Sequence, residues 1–172
     1  MRFSRLIPVA ALAFAAACSE KSTGPVEVNG PSFAAGSGSP HFIANATSCT
    51  QVGINLVCSF KETGLSSGSV ETLQVSVFAN AGYGCVNGGG TVPSDPKKSI
   101  SGNLTTSGTF TAGKNGNLLG TLIVSPLAAN QALSCPPGQT ATLLSVTYGS
   151  AAQPNANIFD VTSGASIDIA VF

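Results

Sequence analysis

The sequence predicts an all-β fold: an antiparallel two-sheet sandwich, immunoglobulin-like or a related Greek key, with about eight strands and two disulfides. Three observations support this. The chain is rich in Ser, Thr, Asn, Gly and Val and poor in helix formers. Polar and apolar residues alternate repeatedly, and four cysteines lie beyond residue 40. The length of 172 residues predicts one domain plus accessory segments. A hydrophobic content of 43% with a charged fraction of 8% argues against a disordered chain.

Residues 1–17 have the pattern of an export signal. Arg2 and Arg5 precede an uncharged apolar run that ends in small residues, and this run is too short to span a bilayer. Cys18 follows directly after Ala17. This arrangement resembles the bacterial lipobox, although Ala15 stands where leucine is usual. The resemblance implies that Cys18 is acylated and becomes the mature N-terminus. Ordinary cleavage after Ala17 is the alternative, and it would give a secreted protein with an unmodified Cys18.

Residues 18–40 are predicted to be the lipidated cysteine and a flexible tether. Repeated Gly and Pro interrupt any regular element, and a flexible chain of this length spans about 25 Å. Val26, Val28 and Phe33 are the exceptions in this polar segment, because they could add a strand to the domain or to a neighbour. The resemblance to the bacterial sorting rule extends to Ser19, which implies the outer membrane.

Residues 41–172 are predicted to form the sandwich domain. Leu73, Val75 and Val77 alternate with polar residues, and similar stripes recur near Val146 and Ile167. We expect strands at residues 41–50, 54–62, 69–79, 98–112, 117–125, 140–149, 156–162 and 166–172. Short antiparallel strands joined by turns favour a sandwich, since a parallel sheet would need crossover helices.

Cysteine spacing predicts one disulfide from strand register. If Gly53-Ile54 is a two-residue hairpin turn, residues whose numbers sum to 107 face each other, which places Cys49 opposite Cys58. These two form a non-hydrogen-bonded pair with Cα atoms about 4.5 Å apart, within bridging range. Cys85–Cys135 is then the second bond.

Two further connections are predicted between strands. Asn115-Gly116 lies between two apolar runs and is typical of a type I′ hairpin turn. Gly and Pro residues between Asn87 and Pro96 predict a long surface loop.

The sequence has few of the residues and motifs that catalysis commonly requires. His41 is the sole histidine, and there is no Cys-x-x-Cys pair, nucleophile elbow or calcium-binding loop. Among the acidic residues, Asp160 and Asp168 could approach across a hairpin as a glycosidase pair, but we expect outward solubility charges. Calcium held by Asp95 or Asp160 is a further hypothesis. We therefore expect no enzyme, no cofactor and no metal ligands.

The expected function is that of a non-catalytic lipoprotein at the cell surface or the periplasmic face of the outer membrane. Its sandwich would serve adhesion, envelope contact or assembly by strand addition. The alternative is a polysaccharide- or calcium-binding module. Tyr83, in a Gly-Tyr-Gly segment, is the candidate ligand contact, although a core-edge tyrosine is the competing interpretation. Expected partners are the membrane, through Cys18, and protein (by self-association) or polysaccharide. A charged fraction of 8% argues against nucleic acid.

Overall fold

The computed structural model describes residues 38–92 and 97–171. The predicted signal peptide, Cys18, most of the tether, Asp95 and Phe172 lie outside these ranges. The described elements, in chain order, are β1 (His41–Phe42), β2 (Ser48–Val52), β3 (Asn55–Thr63), β4 (Val70–Asn87), β5 (Lys97–Thr111), β6 (Leu118–Val124), α1 (Ala129–Ala132), β7 (Gln139–Tyr148), β8 (Asn155–Asp160) and β9 (Ser166–Ala170). No helix within the described ranges has the length and apolar character needed to cross a membrane.

Sheet 1 is built around β3. One edge of β3 pairs with β1 and β2, which lie end to end, and the other edge pairs with β6. All of these pairings are antiparallel. A 3-10 turn at Ala44–Ala46 separates β1 from β2, where a single strand was predicted.

Sheet 2 is built around the long strand β4. One edge of β4 pairs with β5, and the other edge pairs with β8 and then β7, while β9 lies outside β8. These pairings are antiparallel as well. The predicted all-β fold of two antiparallel sheets is therefore confirmed, and the immunoglobulin-like assignment stays a prediction.

The core lies between the two sheets and follows the predicted period of two. In β4, Leu73, Val75, Val77 and Ala79 are buried while the residues between them are half-buried. Sheet 1 contributes the facing side chains of β3 and β6, namely Leu56, Cys58, Phe60, Leu118, Leu122 and Val124. Burial of such side chains is the main stabilising term for a domain of this type.

The predicted stripe in β7 is interrupted by a β-bulge. Gly82 pairs with Ser145 but Tyr83 pairs with Leu143, so Leu144 is an extra residue on its strand. Leu143 and Val146 therefore pack inward, and Leu144 is 43% exposed rather than buried.

The predicted hairpin at Asn115-Gly116 is wrong. Here β5 pairs with β4 in sheet 2 while β6 pairs with β3 in sheet 1, so the connection crosses between sheets. The turn itself is local: the N–H of Gly113 donates to Asn117 (2.8 Å) and the N–H of Gly116 to Gly113 (3.0 Å). Gly116 has φ +66°, and a Cβ there would meet the carbonyl oxygen of Leu65. The glycine is needed for this turn, but the flanking strands separate after it.

The predicted disulfides are confirmed. The register of β2 and β3 places Val52 opposite Asn55 and Cys49 opposite Cys58, with the Cα atoms of the two cysteines 4.0 Å apart. Gly53 has the positive φ, +61°, that the turn requires. Cys85 of β4 bonds Cys135, which follows α1. This second bond fixes the segment between β6 and β7 to the far end of sheet 2.

Candidate functional site

Strand β5 forms a long open edge of sheet 2. Among the described residues it pairs with β4 alone, through a continuous register from Lys97 opposite Gly84 to Thr111 opposite Val70. Residues 99–111 contain no charged residue and no proline. Natural edge strands are usually protected by charges, prolines, bulges or shortness. The long uncharged stretch of β5 has none of these protections.

The alternation of hydrogen bonds along β4 shows which backbone N–H and C=O groups of β5 do not bond to β4. Even-numbered residues of β4 bond to the opposite edge, because Thr72 accepts from the N–H of Val161 (2.9 Å) and Phe78 from that of Gly149 (2.8 Å). Odd-numbered residues of β4 therefore bond to even-numbered residues of β5. The odd-numbered residues of β5 turn their N–H and C=O groups away from β4; these are Ser99, Ser101, Asn103, Thr105, Ser107, Thr109 and Thr111.

The two lysines at the start of β5 leave this edge open. Lys98 is engaged elsewhere, since its Nζ donates to the carbonyl of Ala132 at 3.0 Å. Lys97 lies at the first position of the strand, before the uncharged stretch begins at Ser99. Strand β6 pairs with β3 alone within the part of the chain that the structure describes, so it is a second edge on the same side, but it is only seven residues long.

An apolar cleft of about 120 Å³ runs under the first half of β5. Its walls are formed by inward-facing residues of β4 and β5, together with Asn103, Pro126 and Leu127. The cleft exists because sheet 2 is longer than sheet 1. Near its other end, β5 is covered by sheet 1, where Phe110 packs edge-on against Phe60 with ring centroids 5.2 Å apart. Beyond Val124, where β6 ends, the described residues that cover the inner face are the Pro126–Leu127 region and α1.

Tyr83 forms part of the wall of this cleft and presents no exposed ring. It is 1% exposed, and its hydroxyl donates to the carbonyl of Leu127 at 2.8 Å. Burial raises the pKa of its hydroxyl. A sugar cannot stack on a ring in this position, so the burial of Tyr83 favours the core-edge interpretation over an exposed, sugar-stacking ring. The hydrogen bond to Leu127 holds the cover of the cleft in place.

Three acidic side chains are buried together at the opposite end of the sandwich. Glu62 ends the inward stripe of β3, Glu71 begins that of β4, and Asp160 ends β8; they are 0%, 4% and 0% exposed. Glu62 accepts a hydrogen bond from the hydroxyl of Ser163 (3.0 Å), and Asp160 accepts one from the N–H of Thr162 (2.8 Å). One oxygen of each carboxyl group is buried without a hydrogen-bond partner.

A shared proton explains part of this arrangement. Burial, followed by the charge of Asp160, raises the pKa of Glu62 from 4.5 to about 7, while the bond from Ser163 opposes the rise. Protonated Glu62 can donate to Asp160, which gives two of the unpartnered oxygens a hydrogen bond. Among the described residues, no group of three or more His, Cys, Asp or Glu side chains is arranged to hold a metal ion.

The sequence predictions for these acids are only partly right. Asp168 is exposed and accepts from the amide of Asn157 at 2.9 Å, whereas Asp160 faces the interior, so the hypothetical pair does not form. The burial of Glu62 and Glu71 was not predicted from the sequence. A usable signal was present, because Glu62 is in phase with Phe60 and Glu71 with Leu73 in the period-two stripes.

Comparisons with known protein families, curated proteins and solved structures give no match for this chain. The open edge and its cleft are the features that fit an interaction, and the buried acids are an internal feature of the fold.

Proposed function

We propose that this chain is an exported, non-catalytic lipoprotein, anchored to the envelope through Cys18, whose sandwich binds another polypeptide by strand addition along β5. The observation that carries the proposal is the uncharged, proline-free edge of β5, with its outward backbone groups beside an apolar cleft. In strand addition, main-chain hydrogen bonds supply affinity and pockets for alternate side chains supply specificity. The edge of β5 and the cleft have these two roles.

The expected binding free energy of an added strand is consistent with a specific contact. Each hydrogen bond formed by an outward group of β5 contributes a net ~0.5–1.5 kcal/mol. A branched aliphatic or aromatic side chain buried in the cleft adds ~1.5–3 kcal/mol. The ordering of the incoming segment opposes these gains, so several contacts must form together.

The cysteines support export. Two disulfides favour an oxidising compartment, and Cys18 is the odd cysteine that remains once the other four are paired. Acylation would remove that reactive thiol and give a stable membrane anchor. We place the domain at the outer membrane, on the cell surface or the periplasmic face.

The alternative of a polysaccharide- or calcium-binding module has less support. Tyr83 is buried, Asp160 faces the interior, and Asp95 lies outside the described residues. The proposed absence of catalysis rests on the sequence, with His41 as the sole histidine. His41 is exposed at the start of β1, where its Nδ1 lies 2.8 Å from the carbonyl oxygen of Ser39.

Site-specific photocrosslinking in the native cells tests the proposal. A photoreactive amino acid at Asn103 or Thr105 is expected to capture a partner chain, whereas the same amino acid at Ser59, on the outer face of sheet 1, is not. Ser101→Pro should abolish the capture, because it removes an outward N–H while leaving the bonds to β4 intact. Mass spectrometry of the mature N-terminus reads the acylation of Cys18 in the same samples. Equal crosslinking from Ser59 and from the β5 positions, or none from β5, would overturn the proposal.

A further inference from the structure

We infer that the strand added to β5 comes from a second copy of this chain, and that it consists of residues 26–29, with Val26 and Val28 facing the cleft. This inference rests on the proposed role of β5 as a strand acceptor. It adds the identity of the partner and the side chains that enter the site.

The inward face of β5 has a gap that suits a valine. Ile100 and Leu104 point inward on either side of Gly102, which has no side chain, and a Cβ built on Gly102 meets no atom within 4 Å. An apolar cavity of ~150 Å³ accommodates a benzene ring, so a cleft of about 120 Å³ has room for one branched side chain. A cross-strand residue opposite Gly102 can fill this space.

The segment before the domain has the matching pattern. In an extended chain, Val26 and Val28 lie on one side about 6.8 Å apart, and Glu27 and Asn29 lie on the other. The inward residues of β5 have the same spacing. With Val28 opposite Gly102, Val26 lies opposite Leu104 and the polar side chains stay on the solvent side. Gly30-Pro31 then ends the added strand.

Geometry favours a second copy over the chain's own segment. The described domain begins beside Gly64 and Glu71, and β1 lies on the edge of sheet 1 opposite β6. From Glu71 to Asn80, level with the cleft, β4 extends about 30 Å. Val28 is ten residues before Gly38 and reaches at most about 36 Å when fully stretched. The chain's own segment would also have to cross the end of the sandwich first.

Strand direction adds a second constraint. Strand β5 runs toward Thr111, which lies near the start of the described domain. The chain's own segment would return toward that start and would therefore lie parallel to β5. A segment from a second copy is free to pair antiparallel, which is the slightly more stable arrangement. Because donor and acceptor are different surfaces, each copy can both donate and accept, so the contact is head-to-tail and builds rings or filaments.

A complementation experiment tests this assignment. All proteins are full exported chains carrying Cys18→Ser, so that no acyl group associates the copies. Val28→Asp impairs the donor and Gly102→Val fills the acceptor. Asn29→Asp and Gly88→Val are the matched controls, because Asn29 faces the other side and Gly88 is exposed with open space around its Cβ position.

Sedimentation velocity is expected to show oligomers for the parent and both controls, and monomers for each blocked variant. The dissociation constant should rise at least about tenfold in Val28→Asp, since the cleft would have to desolvate a carboxylate. An equimolar mixture of Val28→Asp and Gly102→Val should form dimers only, because one intact donor meets one intact acceptor. Unchanged unfolding midpoints would show that both variants keep the fold.

Three results would overturn the inference. These are a parent chain that stays monomeric, a Val28→Asp variant that assembles like the parent, or a mixture of the blocked variants that stays monomeric. The proposed function is judged separately by the crosslinks from β5, so a monomeric parent that still captures a different protein through Asn103 leaves that function standing.

Discussion

Replacing Glu62 by glutamine is expected to stabilise the domain above pH 7 and to flatten the pH dependence of its free energy of unfolding. Glu62 is fully buried with a pKa of about 7, against 4.5 for the ordinary side chain. The acids that face it are Asp160 and Glu71, and Ser163 is its hydrogen-bond donor. The amide of glutamine can donate a hydrogen bond to Asp160 at every pH. The carboxyl proton of Glu62 can do so only below about pH 7.

The direction of the pH dependence follows from the number of protons that the folded and unfolded states bind. Between pH 4.5 and about 7 the folded state holds a proton that the unfolded state has released, so stability falls as the pH rises through this window and levels off above it. The expected loss from this group is on the order of 3 kcal/mol. Below pH 4.5 both states are protonated and the contribution is fully present.

Urea unfolding at several pH values between 4.5 and 8 measures the effect. The parent should lose stability across this range while Glu62→Gln loses little. Asp168→Asn, which removes an exposed carboxylate, is the matched control and should follow the parent. A parent curve that is flat over this range, or a Glu62→Gln curve parallel to it, would contradict the shared proton.

Removing the Cys85–Cys135 disulfide with Cys85→Ala and Cys135→Ala is expected to cost about 4 kcal/mol. The bond closes a loop with a sequence separation of 50, which restricts the unfolded chain strongly. The equivalent double variant of Cys49 and Cys58, with a separation of 9, should cost about 2.5 kcal/mol or less. The smaller cost is expected because backbone pairing already holds that hairpin in register.

Urea unfolding without reductant compares the two double variants. Hydrogen exchange adds a local measurement: loss of the long-range disulfide should increase exchange around Leu127 and α1, the cover of the cleft, more than in β3. A larger loss of stability from the Cys49–Cys58 pair would show that loop entropy does not dominate here.

Features governed by local geometric rules could be predicted from the sequence. The period of two identified the inward residues of β4, and a two-residue turn at Gly53 fixed the register that pairs Cys49 with Cys58. The hairpin predicted at Asn115-Gly116 was wrong because such rules are only local. A turn motif specifies local φ angles, but it does not specify whether the strands that leave it join the same sheet.

The candidate site was harder to predict from the sequence, because it depends on long-range strand pairing. The lack of charge in residues 99–111 is visible in the sequence, but an uncharged strand is ordinary in the centre of a sheet and exceptional only at an edge. The predicted strand ended at residue 79, whereas pairing with β5 and β7 extends β4 to Asn87. Glu62 and Glu71 were not predicted as buried acids, although their phase in the period-two stripes places them inward.

Residue-resolved amide hydrogen exchange tests strand addition at β5 most directly. The full chain carrying Val28→Asp, which keeps its acceptor edge, is measured alone and with a synthetic peptide of residues 24–33. Without peptide, amides of even-numbered residues in β5 should exchange slowly and those of Ser101, Asn103 and Thr105 rapidly, because only the former bond to β4. With peptide, the rapid amides should become protected in the Val28→Asp chain and stay rapid when Gly102→Val is added. Odd-numbered amides that are already protected in the free chain, or that gain no protection from a saturating peptide, would contradict the account.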